Sequence, residues 1–271
     1  MTVFRIVRNT VLTVLALLWL VPVYLLIVNA ITPLSEYQGE PLWFPVGFDL
    51  WTNLVSAWNE SSLGLGMLNS LLYSTASALV AVLAAGLAGF AVVTMPVRRP
   101  SLWFWLIYLG TLLPLQIFLA PLFQTYVDTN LYDTSLGMIL IYSAICVPFA
   151  FFVVRNYLTT IPPEIAEAAK LDGAGWGRLF FQIHLPLIRS ALFAAFIFQF
   201  TWVWNDLLFG ITLTTSPDRR PVMAAMAEIG GGFVSLGPPV VLAGALLVSL
   251  PTVILFLSCQ RFFVSSLRAA A

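Results

Sequence analysis

The residues of this chain that could do chemistry crowd into one place. Between Glu164 and Pro186 the sequence EIAEAAKLDGAGWGRLFFQIHLP holds three acids (Glu164, Glu167 and Asp172), two basic residues (Lys170 and Arg178) and the only histidine, His184. Their types and spacing argue against catalysis. Lys170 is the single lysine and follows Ala169, so there is no Gly-Lys-Ser/Thr loop to bind ATP. One histidine is too few for a two-histidine zinc motif, and no Gly-x-Ser-x-Gly elbow occurs. Cys146 and Cys259 lie far apart in apolar runs and read as small core or lipid-facing residues, not as a disulfide or a metal pair. The expectation is a chain that holds no cofactor and no metal of its own.

The same segment has a local structure that can be read. Pro162 and Pro163 suit a helix start, where a missing N–H costs nothing. Glu164 and Glu167 favour the positive end of the helix dipole. Asp172-Gly173 is a stop, because glycine takes the left-handed cap conformation freely. A second short helix is expected over Trp176–Gln182, ended by Pro186. Ile161, Ile165, Ala168, Ala169 and Leu171 give this helix–turn–helix an apolar face too small to be a domain core. It is either a loop packed under its own bundle or a docking element for a partner.

The elements that position this segment are set by composition. The chain is 60% hydrophobic and 9% charged, with a mean hydropathy of +0.96. Soluble domains carry roughly a quarter charged residues, so lipid must be the solvent. The formal net charge is zero, which gives no indication of a nucleic-acid partner. Six stretches approach the ~20 apolar residues a membrane helix needs: about 10–31, 68–95, 102–123, 136–154, 190–213 and 240–260. The first is too long for a signal core and ends without a small-x-small cleavage site. This predicts an all-α membrane protein, with a single membrane domain over 1–271.

Six spans place both termini on one side. That side carries Arg5, Arg8, Arg98, Arg99, Arg155, Lys170, Arg178, Arg189, Arg261 and Arg268, and only Arg219 and Arg220 lie opposite. The positive-inside rule then predicts cytoplasmic termini in a cell membrane. The loop 155–189 is cytoplasmic on this reading, and 32–67 and 214–239 are extracytoplasmic. Polar groups within spans are costly and usually face a cavity or another subunit. The candidates are Asn69, Gln116, Gln124, Gln199, Asn205 and Asp206. With Trp202 and Trp204 beside them, these amides and rings suit a sugar's hydroxyl edges and apolar face, or equally interfacial anchoring and helix–helix hydrogen bonding.

A family resemblance rests on several of these residues together. Glu167-Ala168-Ala169, then Gly173, then nine residues, then Ile183-x-Leu185-Pro186 resembles the EAA loop of ABC-importer permeases. Asn69-Ser70-Leu71, Leu113-Pro114-Leu115-Gln116, Ile161-Pro162-Pro163-Glu164 and Phe200-x-x-x-Trp204-Asn205-Asp206 resemble the carbohydrate branch, in particular the six-span partner permease of maltose-type systems. The resemblance spans about 10–264. It implies a type I importer bundle and no enzymatic activity in this chain, with ATP and Mg held by partner ATPase subunits. Glu164, Glu167, Ala168, Ala169, Asp172, Gly173, Ile183, Leu185 and Pro186 would couple the bundle to that ATPase.

The resemblance also implies a second, different permease and an extracytoplasmic solute-binding protein. Asn69, Gln116, Gln199, Trp202, Trp204, Asn205 and Asp206 would line the translocation path. Arg219, Arg220, Gly230, Gly231 and Gly232 would touch the binding protein, the glycines lending the loop flexibility. The chain departs from many members in its tail, which after Gln260-Arg261-Phe262-Phe263-Val264 lacks the usual glycines. A self-contained secondary transporter and an intramembrane enzyme are the competing classes. The first usually shows an internal repeat, and the second needs a convergent nucleophile or metal set.

Overall fold

The computed structural model describes the backbone of residues 2–60, 62–231 and 236–269, and the side chains of 4–60, 62–231 and 236–259. Among the described residues no strand forms. The helices in chain order are α1 (Thr2–Ile31), α2 (Leu50–Glu60), α3 (Leu63–Thr94), α4 (Pro100–Tyr108), α5 (Leu119–Asp128), α6 (Ser135–Leu158), α7 (Pro163–Leu171), α8 (Trp176–Arg178), α9 (Leu185–Trp204), α10 (Leu208–Leu213), α11 (Val222–Gly231) and α12 (Pro238–Ala269). Among the described residues, five helical stretches are long and apolar enough to cross a membrane: Phe4–Ile31, Leu63–Thr94, Ser135–Leu158, Trp176–Trp204 and Pro238–Cys259. A sixth span exists if Pro100–Thr111 and Leu115–Asp128 are counted together.

That pair is the expected third span, and its two halves meet at an angle of 84°. The break falls at Leu112-Leu113-Pro114, and Pro114 is extended (ψ 117°). Proline lacks the donor that would continue the ladder, and it disfavours helical backbone in the residue before it. Pro22, Pro148 and Pro251 nevertheless sit inside unbroken helices.

A correction concerns the fifth span. Trp176–Trp204 is one continuous helix, with a π-helical turn over Leu179–His184 joining α8 to α9. Pro186 therefore does not end a short helix. In an α-helix its ring would press on the carbonyl of Gln182, and the wider π turn just before it relieves that clash. The span ends at Trp204, nine residues before the expected boundary at Leu213, and a short break separates it from α10.

The chain divides into two compact units, residues 1–64 with 224–250, and residues 65–223 with 251–271. In the first, Asn29 ties the segment after α1 back to it. Its Nδ2 donates to the carbonyls of Leu25 (2.7 Å) and Leu42 (3.0 Å), and its Oδ1 accepts from the Leu42 N–H (2.8 Å). Asn53 on α2 donates to the carbonyls of Ala30 and Thr32, both at 2.9 Å. Most of α1 is exposed apolar surface, from Phe4 to Ile27. That is stable only against lipid or another chain.

In the second unit α3, α6 and α9 pack with small residues at their contacts, as membrane helices do. Ala85, Ala150 and Ala195 are fully buried. A methyl on Gly89 would stand 3.1 Å from Leu158, so α3 and α6 approach closely there. One apolar cluster joins Val82, Phe90, Phe151, Val154, Leu158, Ala166, Leu179, Phe180 and Ile188. A second joins Tyr73, Tyr126, Met138, Tyr142, Cys146, Val203, Phe209 and Leu213. Cys146 and Cys259 are each buried as free thiols.

Candidate functional site

The polar interruption builds from α7. Pro163 opens the helix at its first position, Glu164 lies in the first turn and Lys170 in the last. The end is a Schellman cap: the Gly173 N–H donates to the Lys170 carbonyl (3.0 Å) and the Ala174 N–H to the Ala169 carbonyl (2.9 Å). Gly173 has φ +79°, the left-handed region, and a side chain there would touch nothing within 4 Å. The Lys170 ammonium lies 4.4 Å from the Trp176 ring centroid, bracing the two sides of the turn.

One face of α7 is held and the other is free. Ala166 is buried in the first cluster of the second unit, and Ile161, Ala169, Ile183 and Leu185 pack against it. Ile165, Ala168 and Leu171 are exposed, Leu171 at 89%. This splits the single apolar face expected from the sequence into a buried and an exposed stripe. Glu164, Glu167, Asp172, Gly173 and Pro186 are exposed as well.

His184 is not part of a surface loop. It is buried inside the π turn, with Nδ1 3.1 Å from the Leu179 carbonyl and Nε2 3.5 Å from Thr94 Oγ1. Its ring meets Phe90 edge to face at 5.0 Å. Sequence reasoning missed this role because nothing in the composition distinguishes a buried from an exposed histidine. His184 fastens the start of the fifth span to α3.

The proposed path residues fall into two groups. Gln199 and Trp202 line a cavity of about 280 Å³ with Gly110, Thr111, Leu113, Phe149 and Phe198. Trp202, Asn205 and Asp206 line a second, about 570 Å³, which shares Phe198. These four residues therefore come together along α9 and its end. Gln199 Nε2 donates to the Cys146 carbonyl (3.2 Å), and Asn205 Nδ2 to the Thr201 carbonyl (2.7 Å). Asp206 Oδ2 accepts from the Tyr142 hydroxyl (2.9 Å) and from the N–H groups of Phe209 (3.0 Å) and Gly210 (3.4 Å), so it caps α10.

Asn69, Gln116 and Trp204 line neither cavity. Trp204 is buried and stacks on Phe200 at 5.8 Å. Gln116 is exposed in the short 3₁₀ turn after Pro114. Asn69 holds a turn instead: its Nδ2 donates to the carbonyls of Asp218 (2.9 Å) and Arg220 (3.1 Å).

That turn, 214–221, is tied down on several sides. The Tyr73 hydroxyl donates to the Arg219 carbonyl (2.9 Å), and Ser70 Oγ accepts from the Val222 N–H (2.8 Å). Asp133, left-handed at φ +55°, accepts from the Thr215 N–H (2.9 Å), the Ser216 N–H and the Ser216 hydroxyl. Burial works against the Asp133 carboxylate, but the Ser216 hydroxyl, these N–H groups and nearby Arg219 outweigh it and hold its pKa below the ordinary 3.8. Arg219 is exposed, and Arg220 Nη2 donates to the Thr215 carbonyl (2.7 Å). Gly230 and Gly231 form the last turn of α11, so that part of the glycine run is helical. Gly232 lies outside the described residues.

Known proteins resemble the chain along nearly its whole length. An sn-glycerol-3-phosphate transport system permease protein, UgpE of Yersinia pestis bv. Antiqua (strain Antiqua), is 32% identical over 261 residues, 93% of this chain and 91% of that protein. The melibiose/raffinose/stachyose import permease protein MelC of Bacillus subtilis (strain 168) is 28% identical over 252 residues, 93% of this chain and 90% of its own. In fold, the chain matches a crystal structure of a bacterial ABC transporter that imports the acidic polysaccharide alginate. The TM-score is 0.82 at 19% identity, over 97% of both chains. Residues 96–268 match the family model of binding-protein-dependent transport system inner membrane components. The chain is an all-α, multi-pass membrane protein that belongs to this family of importer permease subunits.

Proposed function

We propose that this chain forms half of the membrane passage of an ABC importer for a carbohydrate or sugar-like solute. α7 would be seated in a groove of a cytoplasmic ATPase subunit. ATP and Mg belong to that partner, and this chain contributes no catalytic residue. The observation that carries the reading is the division of α7: Ala166 and Ala169 are packed into the bundle, while Ile165, Ala168 and Leu171 form an apolar stripe with no cover. An exposed leucine on a short, firmly capped helix suits a rigid knob that enters a partner's groove. Glu164 and Glu167 flank the stripe and set its charge.

ATP-driven closure of two ATPase subunits would move two such helices, one from this chain and one from a second, different permease. The π turn, packed on α3 through His184, would carry that movement directly into the fifth span. The solute would pass along the Gln199–Trp202–Asn205 face of α9, whose amides and ring suit hydroxyls and an apolar sugar face. The excess of arginine on the α7 side supports cytoplasmic termini. The turn bearing Arg219 and Arg220 then faces outward, where an extracytoplasmic binding protein would dock.

Gentle purification from native membranes followed by mass spectrometry tests the assembly. An ATPase, a second permease and a solute-binding protein should accompany the chain. Recovery of the chain alone under several mild detergents would overturn the coupling reading.

A further inference from the structure

We propose that a cavity walled by α3, α4 and α6 binds the phosphate headgroup of an anionic phospholipid. The cavity is about 420 Å³ and is lined by Val92, Val93, Pro100, Ser101, Phe104, Trp105, Arg155 and Thr159. It lies where α3 ends, α4 begins and α6 ends, at the end of the spans that carries α7. The solute cavities along α9 share none of its residues.

Charge is the first argument. The Arg155 guanidinium lies over the Phe104 ring at 4.8 Å, and among the described residues its one side-chain hydrogen bond is to the neutral Asn156, at 3.2 Å. Its Nε is buried with no acceptor. A guanidinium has five donors, and those on its outer nitrogens that Asn156 leaves free can donate to a phosphate. The helices that wall the cavity offer Arg155 no carboxylate. The sequence has no Asp or Glu from 61 to 127 or from 134 to 163, so α3, α4 and α6 carry none at all. Arg98 and Arg99, both exposed, directly precede α4 and add to the positive field.

The cavity offers further donors. Ser101 lies in the first turn of α4, a nine-residue helix with no side-chain cap, so its N–H and hydroxyl both remain for a ligand. The Thr159 hydroxyl, which donates to the Asn156 carbonyl at 2.7 Å, can accept from a headgroup hydroxyl. The remaining walls decide between a free anion and a lipid. Val92, Val93, Phe104 and Trp105 are apolar, and Trp105 is 54% exposed, as an indole at a membrane–water boundary is. Leu102 and Leu106 on α4 and Leu109 just after it continue from this corner as exposed apolar surface on which acyl chains can lie. Phosphate alone would leave these walls wet, whereas a phospholipid covers them and neutralises Arg155 at once.

The test uses the assembled transporter, purified from membranes containing phosphatidylglycerol and phosphatidylethanolamine, with retained lipid identified by native mass spectrometry during stepwise delipidation. The wild type should hold phosphatidylglycerol last. Arg155→Gln should lower that retention by roughly tenfold, about 1.4 kcal/mol, with inorganic phosphate at millimolar concentration displacing nothing. Ser101→Ala, a small change at an exposed position, should lower it by a few-fold and carries the test if Arg155→Gln does not assemble. Equal retention in the wild type and in whichever of these variants assembles would overturn the proposal. So would a wild type that keeps no anionic lipid, or displacement by inorganic phosphate alone, which would mark a free-anion site.

Discussion

Leu171 gives the sharpest separation between a packed loop and a docking helix. It is 89% exposed at the last position of α7, so in the isolated chain it contributes almost nothing to stability. Leu171→Ala should leave the melting temperature of the purified permease unchanged within error, since exposed substitutions usually stay within about 0.5 kcal/mol and alanine is the better helix former. If the side chain is buried in an ATPase groove, the substitution removes three carbon groups from that interface. At about 0.8 kcal/mol each this comes to roughly 2.4 kcal/mol, or about a 60-fold weaker complex. The assay is a titration of fluorescently labelled ATPase subunit onto permease held in nanodiscs, with the melting temperature measured on the same preparation. An unchanged affinity with an unchanged melting temperature would refute the docking argument, because the exposed stripe would then have no occupant on the ATPase.

Four further outcomes are expected. Glu167→Gln, at an exposed position, should leave folding intact yet lower ATP-dependent uptake; full uptake in proteoliposomes would count against its role. Gly173→Ala should destabilise the turn by about 1 kcal/mol through left-handed strain alone, while Gly173→Asn should do less harm, as thermal unfolding of the two variants would show. Asp133→Asn keeps the left-handed residue and its acceptor but removes the charge, and should speed hydrogen exchange of the Thr215 and Ser216 amides several-fold. Because the Asp133 pKa is lowered in the folded chain, its stabilisation is complete above 3.8 and is lost as pH falls through the folded value; the same amides should therefore lose protection only below about pH 4. Trp202→Ala, at a wall shared by both α9 cavities, should slow uptake without preventing assembly, and an unchanged rate would remove that face from the path.

Much of the fold was legible because a bilayer imposes a simple requirement. Runs of about 20 apolar residues without charge have few other solutions, and the glycine stop of α7 follows from backbone geometry that only glycine adopts cheaply. Prolines were less informative. Pro22, Pro148 and Pro251 leave their helices unbroken and Pro114 does not, because the outcome depends on whether neighbours or a local π or 3₁₀ turn take up the freed carbonyl. Pro186 shows the same dependence: two residues before it the chain is already widened into a π turn, so the helix runs on where the sequence reads a stop.

The polar residues show a further limit. Composition says that Asn69, Gln199 and Asp206 must each find partners in or near an apolar medium, but not which partners. Asn69 finds two carbonyls 149 and 151 residues away and so fastens the turn 214–221. Gln199 finds a carbonyl 53 residues away and stays on a cavity wall. One physical demand thus yields a structural clasp in one case and a group on a cavity wall in the other. Only the long-range packing of α3, α6 and α9 distinguishes them, and that packing is set by which small residues let two backbones meet. Gly110 is such a place: a methyl there would stand 2.8 Å from Pro148, so the 3₁₀ turn after α4 can close on α6 beside the Gln199 cavity only with glycine at that position.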